Sequence, residues 1–299
     1  MIIAKNVTKR FDGFAALDNA SLRVSKGAVY GLVGPNGAGK STIIRHLNGV
    51  YRPDEGSLTI DGQPVWENAA LKQRVLTIPD DLFYFLQASV RDMARFYQGF
   101  YPQFNWERYE RLREAFPAVD PKTPLRRLSK GMQKQAAFWL AICCEPDVMI
   151  LDEPVDGLDP VMRRQVWSLL LGDVADREMT VLVSSHNLRE LEDVCDHVGI
   201  MNRGKVVLER SLSDLQGGVT KLQAVWEGEV PPIPAGLTLL HQASSGRLQT
   251  LILRGGAEEI TKRYYNTNPI FMEALPLSLE EIFIYELGGA DYGVKEILL

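Results

Sequence analysis

The sequence contains few cysteines and no long apolar segment, and both shortages exclude classes of protein. Its three cysteines are Cys143, Cys144 and Cys195, and they form no CxxC pair with metal-ligand spacing. We therefore expect reduced thiols, as in a cytoplasmic protein. The longest apolar run, residues 136–144, is about half of the roughly 20 residues that a membrane helix needs. The chain is not expected to span a bilayer by itself.

An excess of positive charge is also missing. The 299 residues carry a formal net charge of −5, so the overall charge does not indicate a nucleic-acid partner, and we expect none. The first residues, MIIAKNVTKRF, include no apolar stretch of signal-peptide length. We find no internal repeat and no low-complexity segment. The length suggests one large domain with a smaller one.

Short apolar segments alternate with helical ones over residues 1–215, which predicts an α/β domain with a mainly parallel sheet covered on both faces. The apolar segments that carry this prediction are 28–33, 148–151 and 180–184. Shorter strands before residue 64 indicate an antiparallel β subdomain, with a turn at Asp61-Gly62. Helical patterns from Lys130 to Cys144, from Trp106 to Phe116 and after a Ser89/Asp92 cap indicate a helical insertion at about 85–145.

A glycine-rich motif is the strongest single signal in the chain. Residues 34–41 read GPNGAGKS and match the P-loop pattern GxxxxGK[ST] between a strand and a helix. The backbone N–H groups of such a loop surround phosphate oxygens, and the helix N-terminus adds partial positive charge. The predicted nucleotide-binding residues here are Gly34, Pro35, Asn36, Gly37, Ala38, Gly39, Lys40, Ser41 and Thr42. Lys40 would reach the outer phosphates, and Ser41 would offer its hydroxyl to Mg²⁺.

A second motif ends an apolar strand with two carboxylates, Asp152 and Glu153. This is a Walker B pattern, in which Asp152 would support Mg²⁺ and Glu153 would polarise the attacking water as a general base. A core strand that ends in a solvated acidic turn has the same pattern. The P-loop in the same chain favours the catalytic interpretation.

Residues 128–132, LSKGM, narrow the class, because here the chain resembles the ABC ATPase family, whose signature is LSGGQ. The copy departs at Lys130 and Met132 but keeps Ser129 and Gly131. A serine hydroxyl, an accessible backbone and a helix N-terminus can still bind phosphate. The resemblance implies that Ser129 and Gly131 face the γ-phosphate of an ATP molecule held by another subunit.

Three further positions are similar to family motifs. Asp159 follows Glu153 as in the D-loop at the subunit boundary, and His186 follows a strand as the switch histidine that contacts the γ-phosphate does. Phe11 precedes the P-loop at the spacing of the aromatic residue that stacks on adenine. A core phenylalanine beside the first strand is the alternative for Phe11.

One family position is occupied by a different residue type. Where the family has the Q-loop glutamine, residues 78–82 read IPDDL, and the spacing to Ser89-Val90 places Asp80 there. An aspartate keeps an oxygen ligand for Mg²⁺ but loses the amide donor and adds a charge. Whether Asp80 or Asp81 takes this place stays open.

The resemblance covers roughly residues 1–215 and implies a P-loop ABC ATPase core that binds ATP and Mg²⁺. Its signature, Q-loop region and C-terminal residues are similar to ATPases that pair with ABC-2-type membrane permeases, usually exporters, and closest to the YtrB-like bacterial group. The implied protein acts at the inner face of the cell membrane, with a second copy of itself or a homologous ATPase subunit. Homodimer and heterodimer, and import and export, remain open.

Two other functions compete with transport. A non-transport ABC ATPase could act on ribosomes or DNA, but that kind carries two ATPase domains or a long coiled coil, and neither is visible here. A P-loop kinase or GTPase would lack the signature and His186.

The pattern over residues 216–299 predicts a small accessory α+β domain. It contains a hairpin, 237–243 and 248–253, and a capped helix after Ser278. This domain could stabilise a dimer, regulate closure or be passive.

Overall fold

A computed structural model describes residues 2–282 and 284–285 of the chain. By their contacts the residues form two compact units. The first runs to His186 and includes Val194–Glu209, and the second combines Asn187–Asp193 with the chain from Arg210 onward. The short segment that follows His186 therefore groups with the C-terminal residues, and no pattern in the sequence predicts this grouping.

A small antiparallel sheet opens the first unit. In spatial order its strands are β2 (Phe14–Val24), β1 (Ile2–Phe11), β4 (Glu55–Ile60) and β5 (Gln63–Pro64). Asp12 and Gly13 connect β1 to β2 with φ of 47° and 86°, as a tight hairpin turn requires. Asp61 and Gly62, with φ of 50° and 75°, form the same kind of connection between β4 and β5, which confirms the predicted turn.

The central sheet of the first unit has six strands. In spatial order they are β10 (Lys205–Ser211), β9 (His197–Asn202), β3 (Val29–Val33), β8 (Thr180–Ser185), β7 (Val148–Asp152) and β6 (Val75–Ile78). The neighbours from β9 to β6 all pair in parallel. Every residue of β3, β7 and β8 is buried, as expected for parallel strands covered on both faces. Their carboxyl ends consequently lie at one edge of the sheet.

Three helices of this unit connect strands directly. They are α1 (Lys40–Leu47) after β3, α2 (Ala69–Lys72) before β6 and α6 (Pro160–Arg177) between β7 and β8. Asp159 caps α6 by accepting hydrogen bonds from the backbone N–H groups of Val161 and Met162, both at 3.0 Å. Pro160 occupies the first helical position, where its missing N–H and fixed φ suit the helix.

The predicted helical insertion lies between β6 and β7. Its helices are α3 (Val90–Gln98), α4 (Trp106–Leu112) and α5 (Lys130–Cys143). The expected cap of α3 is confirmed, because Ser89 and Asp92 each bind the other's backbone N–H. The helix α4 ends four residues before the predicted Phe116, which precedes Pro117 and is therefore biased away from helical backbone.

The second unit contains an antiparallel sheet with its own core. The strands in spatial order are β12 (Thr238–Ser245), β13 (Leu248–Arg254), β11 (Val219–Val225) and β14 (Phe271–Leu275). The helix α9 (Ala257–Tyr265) contributes Ile260 and Tyr264 to a cluster with Leu222, Trp226 and Leu253. The predicted hairpin is confirmed as β12 and β13.

Three short helices complete the described part of the second unit: α7 (Arg189–Glu192), α8 (Leu212–Gly217) and α10 (Leu279–Ile282). The expected capping box of α10 is confirmed, since Ser278 and Glu281 bind each other's backbone N–H groups. The predicted end of this helix at residues 288–289 lies outside the described residues. Arg189 of α7 forms an ion pair with Glu280 at 2.8 Å.

Two expectations about the whole chain can be compared with the described residues. We find there no helix that combines the length and the apolar character needed to cross a lipid bilayer. Cys143, Cys144 and Cys195 are buried and free. Burial raises the pKa of the Cys143 thiol to about 12, so this group stays protonated at neutral pH.

Candidate nucleotide-binding site

The P-loop lies between β3 and α1, at the carboxyl edge of the central sheet. Gly37 and Gly39 have φ of 80° and 108°, which side chains other than glycine rarely adopt. A Cβ built on Gly34 would come within 2.3 Å of the carbonyl oxygen of Met201. The glycines therefore satisfy the backbone geometry of the loop and the close approach of a neighbouring strand, and they leave the loop N–H groups accessible to a ligand.

Lys40 begins α1 and is almost fully buried, with 6% of its surface exposed. Its ammonium group donates to the carbonyl oxygen of Gly34 at 2.6 Å. It also lies 3.7 Å from the nearer carboxylate oxygen of Glu153. A positive charge is thus held inside the loop, at the place where the outer phosphates of a nucleotide would bring negative charge.

Asp152 and Glu153 lie at the end of β7, where β8 fixes their orientation. The Ser184 hydroxyl donates to Asp152 Oδ1, and the Glu153 N–H donates to the Ser184 carbonyl oxygen at 3.2 Å. Glu153 has a φ of 46°, a left-handed conformation that is uncommon for a residue with a side chain. Because of this backbone turn, the Asp152 carboxylate contacts Ser184, whereas the Glu153 carboxylate lies near Lys40.

His186, just beyond β8, contacts the Glu153 carboxylate. Its Nδ1 lies 2.9 Å from Glu153 Oε2, and its backbone N–H donates to the same oxygen at 3.3 Å. The Glu153 side chain is 13% exposed and that of His186 is 52% exposed. Glu153 therefore lies between Lys40 and His186, with the histidine on the solvent side.

The cavity beside the P-loop has a volume of about 390 Å³, which is large enough for a small ligand, and the predicted residues Gly34, Pro35 and His186 do not line it. Its lining includes most of the P-loop, both Walker B carboxylates and Asp80; the P-loop members are Asn36, Gly37, Ala38, Gly39, Lys40, Ser41 and Thr42. Asp81 does not line it and borders a neighbouring cavity instead. The oxygens of Ser41, Asp152 and Asp80 are hard donors that fit Mg²⁺.

Two aromatic residues lie near the hairpin turn between β1 and β2. Phe11 is 38% exposed and packs edge-on against Tyr51, with ring centroids 5.3 Å apart. Phe14, its partner in the strand pairing, lines the cavity, and Phe11 does not. Stacking of adenine on Phe11 therefore stays a prediction, and Phe14 is a second candidate that the motif spacing did not indicate.

The three residues predicted to act at the boundary with another subunit, Ser129, Gly131 and Asp159, do not line the cavity. Ser129 caps α5 by accepting the N–H of Met132 at 3.3 Å. A Cβ built on Gly131 would lie 2.9 Å from the carbonyl oxygen of Gly157, so the signature backbone is close to the loop that follows Glu153. Asp159 is occupied as the N-cap of α6. The chain thus does not bring its own signature to its own P-loop.

Sequence reasoning missed Lys134, which lies on α5 beyond the signature. Its residue surface is 7% exposed, and its ammonium donates to the carbonyl oxygen of Glu153 at 2.7 Å. Asp80 lies 3.7 Å from the same ammonium group. The available signal was a lysine two residues before the apolar run at 136–144, on a helix that had to be buried on that side.

Comparisons with known proteins agree with this geometry. Residues 17–156 match the family model described as ABC transporter. The ABC transporter ATP-binding protein YtrB of Bacillus subtilis (strain 168) is 28% identical over 291 residues, which are 97% of this chain and 99% of YtrB. The uncharacterized ABC transporter ATP-binding protein YcbN of the same organism is 30% identical over 229 residues, 74% of this chain and 73% of that protein.

A solved structure shows the same fold. The dimeric structure of a bacterial ABC transporter cassette, MJ0796, superposes with a TM-score of 0.61 at 21% identity, over 71% of this chain and 99% of that chain. The glycine loop, the paired carboxylates and the signature helix thus occur here in the fold that such cassettes have. By sequence and by fold, the chain belongs to the family of ABC transporter ATP-binding proteins.

Proposed function

We propose that this chain hydrolyses ATP, and that two ATPase subunits, either two copies of it or one copy with a homologue, close head to tail on two ATP molecules. One observation carries the proposal. Lys40, Asp152 and Glu153 line one cavity, whereas the signature residue Ser129 lies outside it. A phosphate-binding signature that is remote from its own P-loop can contribute to catalysis only in another chain's site.

The residues around the cavity take the roles that their chemistry allows. Lys40 neutralises the outer phosphates of ATP, and the P-loop N–H groups bind the phosphate oxygens. Glu153 orients the attacking water and accepts its proton, and His186 positions Glu153 through the 2.9 Å contact and reaches the γ-phosphate. Ser41, Asp152 and Asp80 would hold Mg²⁺, which would supply positive charge against the phosphates.

Head-to-tail closure can be tested by mixing two inactive variants. Glu153→Gln removes the base but keeps the signature, and Ser129→Arg places a long side chain in the signature but keeps the base. In a mixed dimer with shared sites, one site carries both substitutions and the other is wholly native. The mixture should therefore hydrolyse ATP faster than either variant alone.

The same mixture separates the alternatives. If each chain used only its own residues, both chains of the mixed dimer would stay defective, and the mixture would be as slow as its parents. Lys40→Ala in the Glu153→Gln partner provides the matched control, because it changes only the site that is already defective. Absence of recovery in a mixture that forms mixed dimers would overturn the head-to-tail arrangement.

We further propose that the chain acts at the inner face of the cell membrane with an ABC-2-type permease, as part of an exporter. Its similarity to YtrB over nearly the whole length supports the pairing with a membrane subunit. The helical insertion also carries an exposed aromatic patch, formed by Phe83, Phe85, Phe96 and Phe100. Phe85 and Phe96 lie 4.9 Å apart between ring centroids, and Phe83 is 75% exposed.

A contiguous exposed apolar patch is typical of an interaction surface. A cytoplasmic helix of the permease with an apolar face would cover these rings. Phe85→Ser together with Phe96→Ser should release the chain from native membranes and leave ATP binding intact. Tyr265→Ser, at an exposed aromatic residue of the second unit, is the control that should stay bound. Retention of the double variant on membranes would contradict this surface.

A further inference from the structure

Lys134 is a charged residue buried in the first unit. It lies on α5, five residues beyond the signature serine, and its side chain is 9% exposed. A buried ammonium group is costly unless hydrogen bonds or an opposite charge compensate it. Two groups do so here, the carbonyl oxygen of Glu153 at 2.7 Å and a carboxylate oxygen of Asp80 at 3.7 Å.

The first partner belongs to the residue proposed as the catalytic base. Glu153 has a φ of 46°, and a non-glycine residue keeps such a conformation only where its surroundings hold it. Its N–H is held by the Ser184 carbonyl oxygen at 3.2 Å, and its C=O is held by Lys134. The two bonds together fix both ends of the residue and so fix the direction in which its carboxylate points.

The second partner connects Lys134 to the cavity. Asp80 lines the cavity beside the P-loop, and it also borders the neighbouring cavity that contains Lys134. The Asp80 side chain is 59% exposed, so it contributes a surface charge and little packing. Lys134 thus links the signature helix to two different walls of the nucleotide cavity.

We propose that Lys134 is a positioning residue that holds Glu153 in its catalytic orientation and ties this orientation to the signature helix. The inference rests on the proposed hydrolysis of ATP by Glu153. Because Ser129 is the N-cap of α5 and Lys134 lies in this helix, a shift of the signature on the partner's nucleotide is transmitted to the base of the same chain. The residue acts through Glu153 and does not itself touch the substrate.

The substitution Lys134→Met removes the charge and the donor but keeps a long unbranched side chain. The Glu153 carbonyl then lacks its donor, and the left-handed backbone is free to relax. A misplacement of a catalytic group by about 1 Å can cost on the order of a hundredfold, so we expect kcat to fall by about tenfold to a hundredfold. The affinity for ATP should stay near the wild-type value, since the P-loop is unchanged.

The experiment measures kcat, KM, the Kd for ATP and the melting temperature of the full chain. Lys134→Arg keeps the charge and the donors and should recover most of the lost rate. Lys122→Met, at an exposed lysine of the same helical insertion, is the matched control and should behave as wild type. If Lys134→Met does not fold, Lys134→Gln replaces it, since glutamine is polar but carries no charge.

The results discriminate between positioning and a merely structural role. A fall in kcat at unchanged ATP affinity and melting temperature, with recovery in Lys134→Arg, supports positioning. A wild-type kcat in Lys134→Met, or equal losses of rate, affinity and stability in the Met and Arg variants, would overturn it. If the wild-type chain has no ATPase activity, the proposed function itself is overturned. If the wild-type chain is active and only the expected effect of Lys134→Met is missing, the positioning role alone is overturned.

Discussion

Replacing Glu153 by glutamine removes one negative charge from the cavity and leaves the shape of the side chain almost unchanged. The glutamine carbonyl can still accept from the His186 backbone N–H, which lies 3.3 Å from the present carboxylate. The backbone bonds to Ser184 and Lys134 do not involve the side chain. We therefore expect the variant to fold and to bind ATP as the wild type does.

The loss of rate follows from the role of the carboxylate. General base catalysis contributes about 10²- to 10⁴-fold. At 1.36 kcal/mol per decade, this corresponds to roughly 3 to 5 kcal/mol in the barrier. The Glu153 side chain is only 13% exposed, so bulk water has little access from which to replace it as the base. We expect kcat to fall by this factor.

Phosphate release under saturating ATP measures kcat, and a fluorescent ATP analogue measures affinity. Because ATP is bound but not cleaved, the variant should also form a longer-lived ATP-dependent dimer, detectable by light scattering. Glu110→Gln, at an exposed carboxylate of α4, is the control and should keep the wild-type rate. A Glu153→Gln rate within about tenfold of wild type would refute the assignment of the base.

Three other predictions concern single groups. Lys40→Ala should abolish hydrolysis and weaken ATP binding, because it removes the buried charge beside the phosphates; a wild-type ATPase rate would exclude the P-loop assignment. Asp80→Ala should shift the Mg²⁺ dependence of the rate, whereas Asp81→Ala should not, since only Asp80 lines the cavity. Ser89→Ala should lower the free energy of unfolding by about 1 kcal/mol. Hydrogen bonds from Ser89 lower the pKa of Asp92, so the contribution that needs the ionised carboxylate is lost as pH falls through that pKa, and the difference in stability between the two proteins should narrow in acid.

Features of the sequence that act locally predicted their structures well. The P-loop joins a strand to a helix where the glycine pattern places it, and both predicted helix caps form. Each depends on residues within a few positions of each other, and therefore on backbone geometry that the local sequence determines. The buried strands β7 and β8 were likewise visible as continuous apolar runs.

Elements with mixed patterns were missed. The helix α6 has 18 residues, but its apolar residues do not form one clear stripe, although Asp159 and Pro160 signal its start. The strands β9, β10, β11 and β14 also escaped prediction, because strand pairing joins segments that are distant in the sequence.

In the candidate site, too, some features could be predicted from local motifs and others depend on contacts between distant parts of the sequence. Motifs identify Lys40 and Glu153 separately, but the 3.7 Å between their charged groups depends on how β3 and β7 are ordered in the sheet. Lys134 depends even more on non-local information, because no motif requires a lysine at its position. Its role depends on the backbone conformation of Glu153, 19 residues away, and on a carbonyl group that every residue carries. A contact with a main-chain carbonyl does not restrict the residue type at position 153. Only the folded structure therefore reveals that Lys134 contacts Glu153.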